Sequence, residues 1–353
     1  MSVETGAELS RQVKEFGEFY TNEEFSDLDC RNLDFSGAIF SGVTFKNCTF
    51  NDANLKETVF NKCRFENGTF IKADLTETVF SNTYLMSSLF DNTTINSAKF
   101  IDVDCESTRF DNSKLNAVIF NKCNMAGATL IKANLETAVF NGCNMSNVDF
   151  TEAKMFKSIF NECDFQENKF TKAILNLCYF SKANFSGSDF SYLDMAQTQF
   201  SDCKLTNCDF TAANLLQAGF MKADLSNSKF DKAVAELANF YEAKLDSVSM
   251  SGADLSKAGM QKTLINKSDF RSTNLTMTQL TEAKISNSLF SGVNLTYADM
   301  SHVTVRDSDF SGAILSGTKM HELYDETTIW EGANRADAQK TEANKLKAEQ
   351  WGK

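Results

Sequence analysis

The sequence predicts an all-β solenoid, a chain wound in short coils of four pentapeptides each. Three observations carry that expectation. Every fifth position from Cys30 to Met320 is apolar: 59 positions hold 28 Phe, 16 Leu, 8 Met, 3 Ile, 2 Cys, one Val and one Ala. A five-residue period belongs to neither an α-helix nor a plain strand, whose repeats are about 3.6 and 2.0 residues, and a fixed short repeat marks a solenoid. The residue two before each apolar centre is small in 55 of the 59 cases, the exceptions being Leu28, Leu33, Asn168 and Leu193. Finally, residue type recurs every twenty positions: Phe holds the series from Phe40 to Phe240 and gives way at Met260, while Leu55, Leu75, Ile95, Leu115, Leu135, Met155, Leu175, Met195 and Leu215 form an aliphatic series.

Each pentapeptide therefore turns one large and one small side chain inward and leaves three polar ones outside. Residues twenty apart stack at the strand spacing of about 4.8 Å, so the 59 repeats make nearly fifteen coils, an array roughly 70 Å long. Phe is favoured on two opposite sides, where offset-stacked rings fill a narrow core. Residues 1–24 lie off this register, and Leu9, Val13 and Phe16 fall at helical spacing, which predicts a short helical cap on the first coil. This segment reads as neither a signal peptide nor a membrane span, because it has no apolar run. The array itself occupies residues 25–330, with no proline to interrupt pairing between coils. Residues 331–353, rich in Ala, Lys, Glu and Gln from Asn334 onward, read as a C-terminal helix that closes the open end. A homodimer through this cap is the weaker reading, since its apolar content (Ala336, Ala343, Leu346, Trp351) is thin.

The tripeptides Ala73-Asp74-Leu75, Ala133-Asn134-Leu135, Ala213-Asn214-Leu215, Ala223-Asp224-Leu225 and Ala253-Asp254-Leu255 resemble the Ala-(Asp/Asn)-Leu core of pentapeptide-repeat proteins. The resemblance covers roughly residues 25–330 and implies a right-handed quadrilateral β-helix. The segment Tyr324-Asp325-Glu326-Thr327-Thr328-Ile329-Trp330 is similar to the usual end of such arrays. Members of the family serve different functions, so the fold leaves the role open.

Catalytic chemistry is not legible. Eight of the ten cysteines (Cys48, Cys63, Cys123, Cys143, Cys163, Cys178, Cys203, Cys208) occupy the small inward position, and Cys30 and Cys105 are centres. All ten read as small buried hydrophobes with free thiols, suited to a reducing cytoplasm. His302 and Glu322 are twenty apart, with His321 adjacent. A surface metal site is one reading of that cluster, but two solvated imidazoles near the solenoid end is the one the sequence favours, so no metal is assigned. No cofactor motif and no nucleophile triad appear, and the carboxylates are scattered at outward positions. The expectation is a non-enzyme with no cofactor.

The net charge of −12 and the lack of a basic stripe disfavour nucleic acid as a direct partner, and no segment calls for a membrane. The resemblance implies a different option. The best-known pentapeptide-repeat proteins mimic B-DNA and engage a type II topoisomerase, either DNA gyrase or topoisomerase IV, and some protect it from quinolones or toxins. A duplex of the array's length carries about forty charges, over fourfold more than the net nine on residues 25–330. The column Glu162, Lys182, Asp202, Lys222, Glu242, Lys262, Glu282 alternates in sign, which predicts ion pairs between coils. An outward column stands apart instead. Ile39, Val59, Val79, Ile119, Val139, Ile159 and Tyr179 are apolar, interrupted by Lys99, and beyond residue 180 the column becomes Gln199, Gly219, Asn239, Gly259, Gln279 and Asp299. β-branched residues suit a strand face, and contiguous apolar residues also mark contact surfaces. The switch at mid-array favours contact. The leading expectation is thus an interaction rod, a scaffold, adaptor or effector presenting a flat face to a protein partner, with the topoisomerase modulator as its alternative.

Overall fold

The computed structural model describes residues 3–351. Two compact units divide the chain, Met1–Tyr179 and Phe180–Lys353, and each is a four-sided parallel β-solenoid built on the same frame. Counting from the apolar centre as position 0, every centre from Cys30 to Leu315 is buried, and Met320 is half-buried.

Hydrogen-bond accounting explains the five-residue repeat. Around Phe50, the centre amide donates to the Thr69 carbonyl (2.7 Å), the Thr49 amide to Leu28 (3.0 Å), the Asp52 amide to Ile71 (2.9 Å), and the Ala53 amide closes the turn on Phe50 (3.1 Å). Three of these bonds join coils and one shapes the corner. Four of the five amides are thus satisfied by backbone, as buried amides must be. The cost is paid in conformation at position +2, where residue after residue is left-handed: Asp52 (φ 58°), Ala117 (φ 55°), Lys132 (φ 58°), Leu237 (φ 60°), Tyr297 (φ 57°). That conformation disfavours side chains by roughly 1–2 kcal/mol per residue. It persists because it aims the +2 amide at the neighbouring coil.

In the first unit the strands Ile39–Ser41, Val59–Asn61, Val79–Ser81, Lys99–Ile101, Ile119–Asn121, Val139–Asn141 and Ile159–Asn161 pair in parallel, each residue opposite the one twenty further on. Here the chain bends at Gly42, Lys62 and Asn82 without a closing hydrogen bond. The centre carbonyls take side-chain donors instead: Cys63 Sγ to Phe40 (3.4 Å), Thr83 Oγ1 to Phe60 (3.0 Å) and Cys123 Sγ to Phe100 (3.3 Å). A second face is extended in part of each unit: Glu24–Ser26, Thr44–Lys46 and Arg64–Glu66 in the first, and Lys244–Asp246, Leu264–Asn266, Lys284–Ser286, Thr304–Arg306 and Tyr324–Glu326 in the second.

The core is ringed by aromatic columns. Phe60, Phe80, Phe100, Phe120 and Phe140 stack at 4.5–5.0 Å between centroids and within 18° of parallel. Across the core the columns meet edge to face, as in Phe80 against Phe90 (6.3 Å, 85°). Both geometries are those the ring quadrupole favours.

Helix α1, Gly6–Phe16, sits against the first coil, with Leu9 and Val13 buried. Thr5 caps it by accepting the Glu8 amide. Ser10 Oγ and Lys14 Nζ donate to the carbonyls of Asp34 (2.7 Å) and Ser36 (3.0 Å). Phe16, which helical spacing places on the capping face, is instead 63% exposed. At the other end Trp330 stacks on Phe310 (4.7 Å), Arg335 lies over the indole (4.5 Å), and Gln339 exchanges backbone hydrogen bonds with Thr318 and Met320 (both 2.8 Å). Helix α2, Ala343–Gln350, follows with no buried residue, and Trp351 is 91% exposed. Among the described residues no helix is long and apolar enough to cross a membrane.

Candidate functional site

The −1 column of the first unit occupies the outer side of its parallel sheet. Ile39, Val59, Val79, Lys99, Ile119, Val139 and Ile159 follow one another in register, and Tyr179 begins the strand Tyr179–Ser181. Ile39, Lys99, Ile159 and Tyr179 are exposed, while Val59, Val79, Ile119 and Val139 are half-buried against their neighbours along the column. The flanking +1 column is small and polar, with Ser41, Asn61, Ser81, Asn121, Asn141 and Asn161, broken only by Ile101. On the corresponding face of the second unit Gly219, Asn239, Gly259, Gln279 and Asp299 are joined by single bridges, and the Gln199 side chain lies where a Cβ on Gly219 would be.

Apolar exposure in the second unit occurs on other faces, at −1 positions such as Val234, Leu264, Leu289 and Ile314, and at the +2 corners Tyr192, Leu237, Met277 and Tyr297, with the Tyr297 ring lying on Gly317. Sequence reasoning missed the corner residues because it treats corners as polar. The one available signal was a large apolar residue at +2.

Several outward charges are paired. Lys132 reaches Glu152 (3.7 Å), Lys222 reaches Glu242 (3.8 Å) and Lys262 reaches Glu282 (3.9 Å), each across one coil step. At Asp74 and Asp224 burial pushes the carboxyl pKa up, but hydrogen bonds from the hydroxyl and amide two residues on, with a lysine one coil step or so away, outweigh it and hold the group below its ordinary value; at Asp299 Ser301, whose amide donates at 3.0 Å, and Lys319 outweigh burial likewise. At Asp269 the Arg271 guanidinium is the main cause of the same lowering.

All ten cysteines are free and buried. Burial pushes the thiols of Cys48 and Cys63 up to about 11, and those of Cys178, Cys203 and Cys208 up to about 12. They are more than small hydrophobes, since their sulfurs donate to core carbonyls, as Cys208 does to Phe185 (3.1 Å).

The histidine cluster differs from the expected pair of solvated rings. His302 is exposed, but His321 is only 4% exposed. The carboxylate between them is Glu349 of α2, with Oε2 3.0 Å from His321 Nε2 and Oε1 3.5 Å from His302 Nε2. Glu322 instead donates its amide to Thr341 Oγ1 (3.1 Å). Sequence alone had no means of bringing Glu349 here, because it lies outside the repeat register.

Family models of known proteins match the repeat frame. The pentapeptide repeat region model matches residues 43–119 and 113–190, and the model of pentapeptide repeats in eight copies matches 198–234, 218–256, 249–287 and 288–322. No curated protein shows a significant match. Among solved structures, HetL, a pentapeptide repeat protein involved in heterocyst differentiation regulation in the cyanobacterium Nostoc, is 18% identical over 83% of this chain and 96% of its own, with a TM-score of 0.22. A trypsin-treated form of QnrB1, a plasmid-mediated fluoroquinolone resistance protein, is 22% identical over 57% of this chain and 90% of its own, with a TM-score of 0.33. A pentapeptide repeat protein of the Arabidopsis thaliana thylakoid lumen is 25% identical over 36% of this chain and 67% of its own, with a TM-score of 0.16. With an unbroken five-residue frame, coil-to-coil pairing at twenty-residue steps and family models matching most of the array, the chain belongs to the pentapeptide-repeat family.

Proposed function

We propose that the protein is a non-enzymatic scaffold whose first unit presents the face Ile39, Val59, Val79, Ile119, Val139, Ile159 and Tyr179 to a protein partner. One observation carries this reading. The strand geometry of the face accounts for β-branched residues, but threonine is β-branched too and equally suited to a strand. None of the eight −1 positions from Ile39 to Tyr179 is threonine, and seven are apolar. Solvent exposure alone gives no reason for that choice, whereas a contact surface does. The aligned column, flanked by short polar side chains, offers a flat apolar strip with a hydrogen-bonding margin.

The test combines Val79→Lys and Val139→Lys in one chain. Two lysines on half-buried strand positions leave the buried Phe ladder untouched, so the circular dichroism spectrum should not change. A photo-crosslinker at Ile119 should join one partner in the native chain and lose it in the double variant. Unchanged crosslinking would sink the proposal. Mimicry of duplex DNA is the second reading, and the paired Lys–Glu corners support it poorly. Inhibition of DNA gyrase supercoiling, or its protection from a quinolone, at micromolar protein or below would overturn the scaffold reading in its favour.

A further inference from the structure

We propose that His302, His321 and Glu349 form a site for one divalent transition-metal ion of the zinc class, which clasps α2 to the last coils of the second unit. The three ligand atoms already lie within 4.8 Å of one another. A tetrahedral ion with bonds of about 2.0–2.1 Å holds its ligands about 3.3 Å apart. Glu349 Oε2 stands 3.0 Å from His321 Nε2 and Oε1 3.5 Å from His302 Nε2, so the carboxylate bridges the two imidazoles, and the cluster has to contract for one oxygen and both nitrogens to meet one ion. The cluster's two ends are unequal: His321 is a buried anchor, and exposed His302 has room to swing. The rings lie close and nearly at right angles (5.4 Å between centroids, 87°). Two imidazoles and one carboxylate suit zinc, copper or nickel, not the all-oxygen shells of magnesium or calcium. A fourth position on the His302 side is open to water.

Two features set the affinity. Lys345 Nζ lies 3.8 Å from Glu349 Oε1 and must move aside for the ion. The Glu342 amide donates to His321 Nδ1 (3.2 Å), which places the metal-free proton on Nε2, pointing at Glu349. Ligation through Nε2 moves that proton to Nδ1, with no net proton released, and the Glu342 hydrogen bond is given up. A ligating histidine ordinarily has a hydrogen-bond acceptor behind it, and a defect there costs about 10–100-fold in affinity, so this site binds that much more weakly than one with both histidines so supported.

The experiment is calorimetric titration of the full chain with zinc chloride, paired with visible absorption of the cobalt(II) complex. One equivalent should bind, with four-coordinate cobalt bands and no thiolate charge-transfer band. His302→Ala and Glu349→Gln should each weaken binding by roughly tenfold or more. Zinc should slow tryptic cleavage after Lys345 and Lys347 several-fold in the native chain and not in Glu349→Gln. His302 is exposed, so its alanine variant tests the site without threatening the fold. Absence of stoichiometric binding at about 100 μM zinc, a charge-transfer band from the cysteines, or native affinity in both variants would overturn the site.

Discussion

In Ala73-Asp74-Leu75 each side chain has a separate physical task. Ala73 fits the narrow inward slot, Leu75 fills the core, and Asp74 Oδ1 accepts the Thr76 amide (3.1 Å), the one amide that the backbone leaves over. The other four such tripeptides repeat the bond, with Asn134 to Glu136, Asn214 to Leu216, Asp224 to Ser226 and Asp254 to Ser256 at 3.0–3.3 Å. Asp209 does the same for Thr211 (2.9 Å) with Cys and Phe as its flanks, so the device belongs to the −1 carboxylate or amide and not to the tripeptide as a whole. Asp209→Ala should therefore expose the Thr211 amide and speed its hydrogen exchange about fivefold, equivalent to about 1 kcal/mol for one hydrogen bond. Asp209→Asn should leave the exchange rate near native. Equal exchange in both variants would mean that the side chain caps nothing. The inward pattern was legible in the sequence because size and polarity alone encode it. The left-handed +2 corners were not, since Lys, Glu, Leu and Tyr all occupy them against their own preference.

Among the elements, α1 shows how much the array's open end demands of a covering segment. Its first residue touches the chain so closely that a Cβ on Gly6 would stand 2.1 Å from the Asp29 carbonyl oxygen. Gly6→Ala should lift the helix start from the first coil, loosen Leu9, and raise tryptic cleavage after Arg11 and Lys14 several-fold, as read by limited proteolysis. Cleavage at the native rate would mean that the helix docks by another contact. Hydrophobic spacing identified Leu9 and Val13 as the covering face and wrongly added Phe16, because the helix ends there and Gly17 (φ 63°) turns the chain away. Which faces run as strands was also beyond the sequence. The longest run of paired strands lies on the face of Phe40 in the first unit and on that of Leu245 in the second, while the five-residue pattern stays the same.

On the scale of the whole molecule, carboxylates bound to neighbouring groups make stability depend on acid. Asp74, Asp224, Asp269 and Asp299 have folded pKa values below ordinary. Their stabilisation is full above the unfolded value of about 3.9 and is lost as pH falls through the folded values. The melting temperature followed by circular dichroism should stay level from about pH 7 to pH 5 and fall below about pH 4. A decline starting near neutrality would mean that these carboxylates do not set the acid sensitivity. The candidate partner face was legible as a column, since residues twenty apart are certain to stack once the coil length is known. By itself the sequence determined the frame, the coil length and the composition of each outward column, because every repeat places its neighbours in space by the same short-range rule. The tertiary structure decided the backbone sign at the corners, the choice of strand faces and the meeting of Glu349 with two histidines. Those depend on hydrogen bonds between coils and on a terminal helix that follows no repeat.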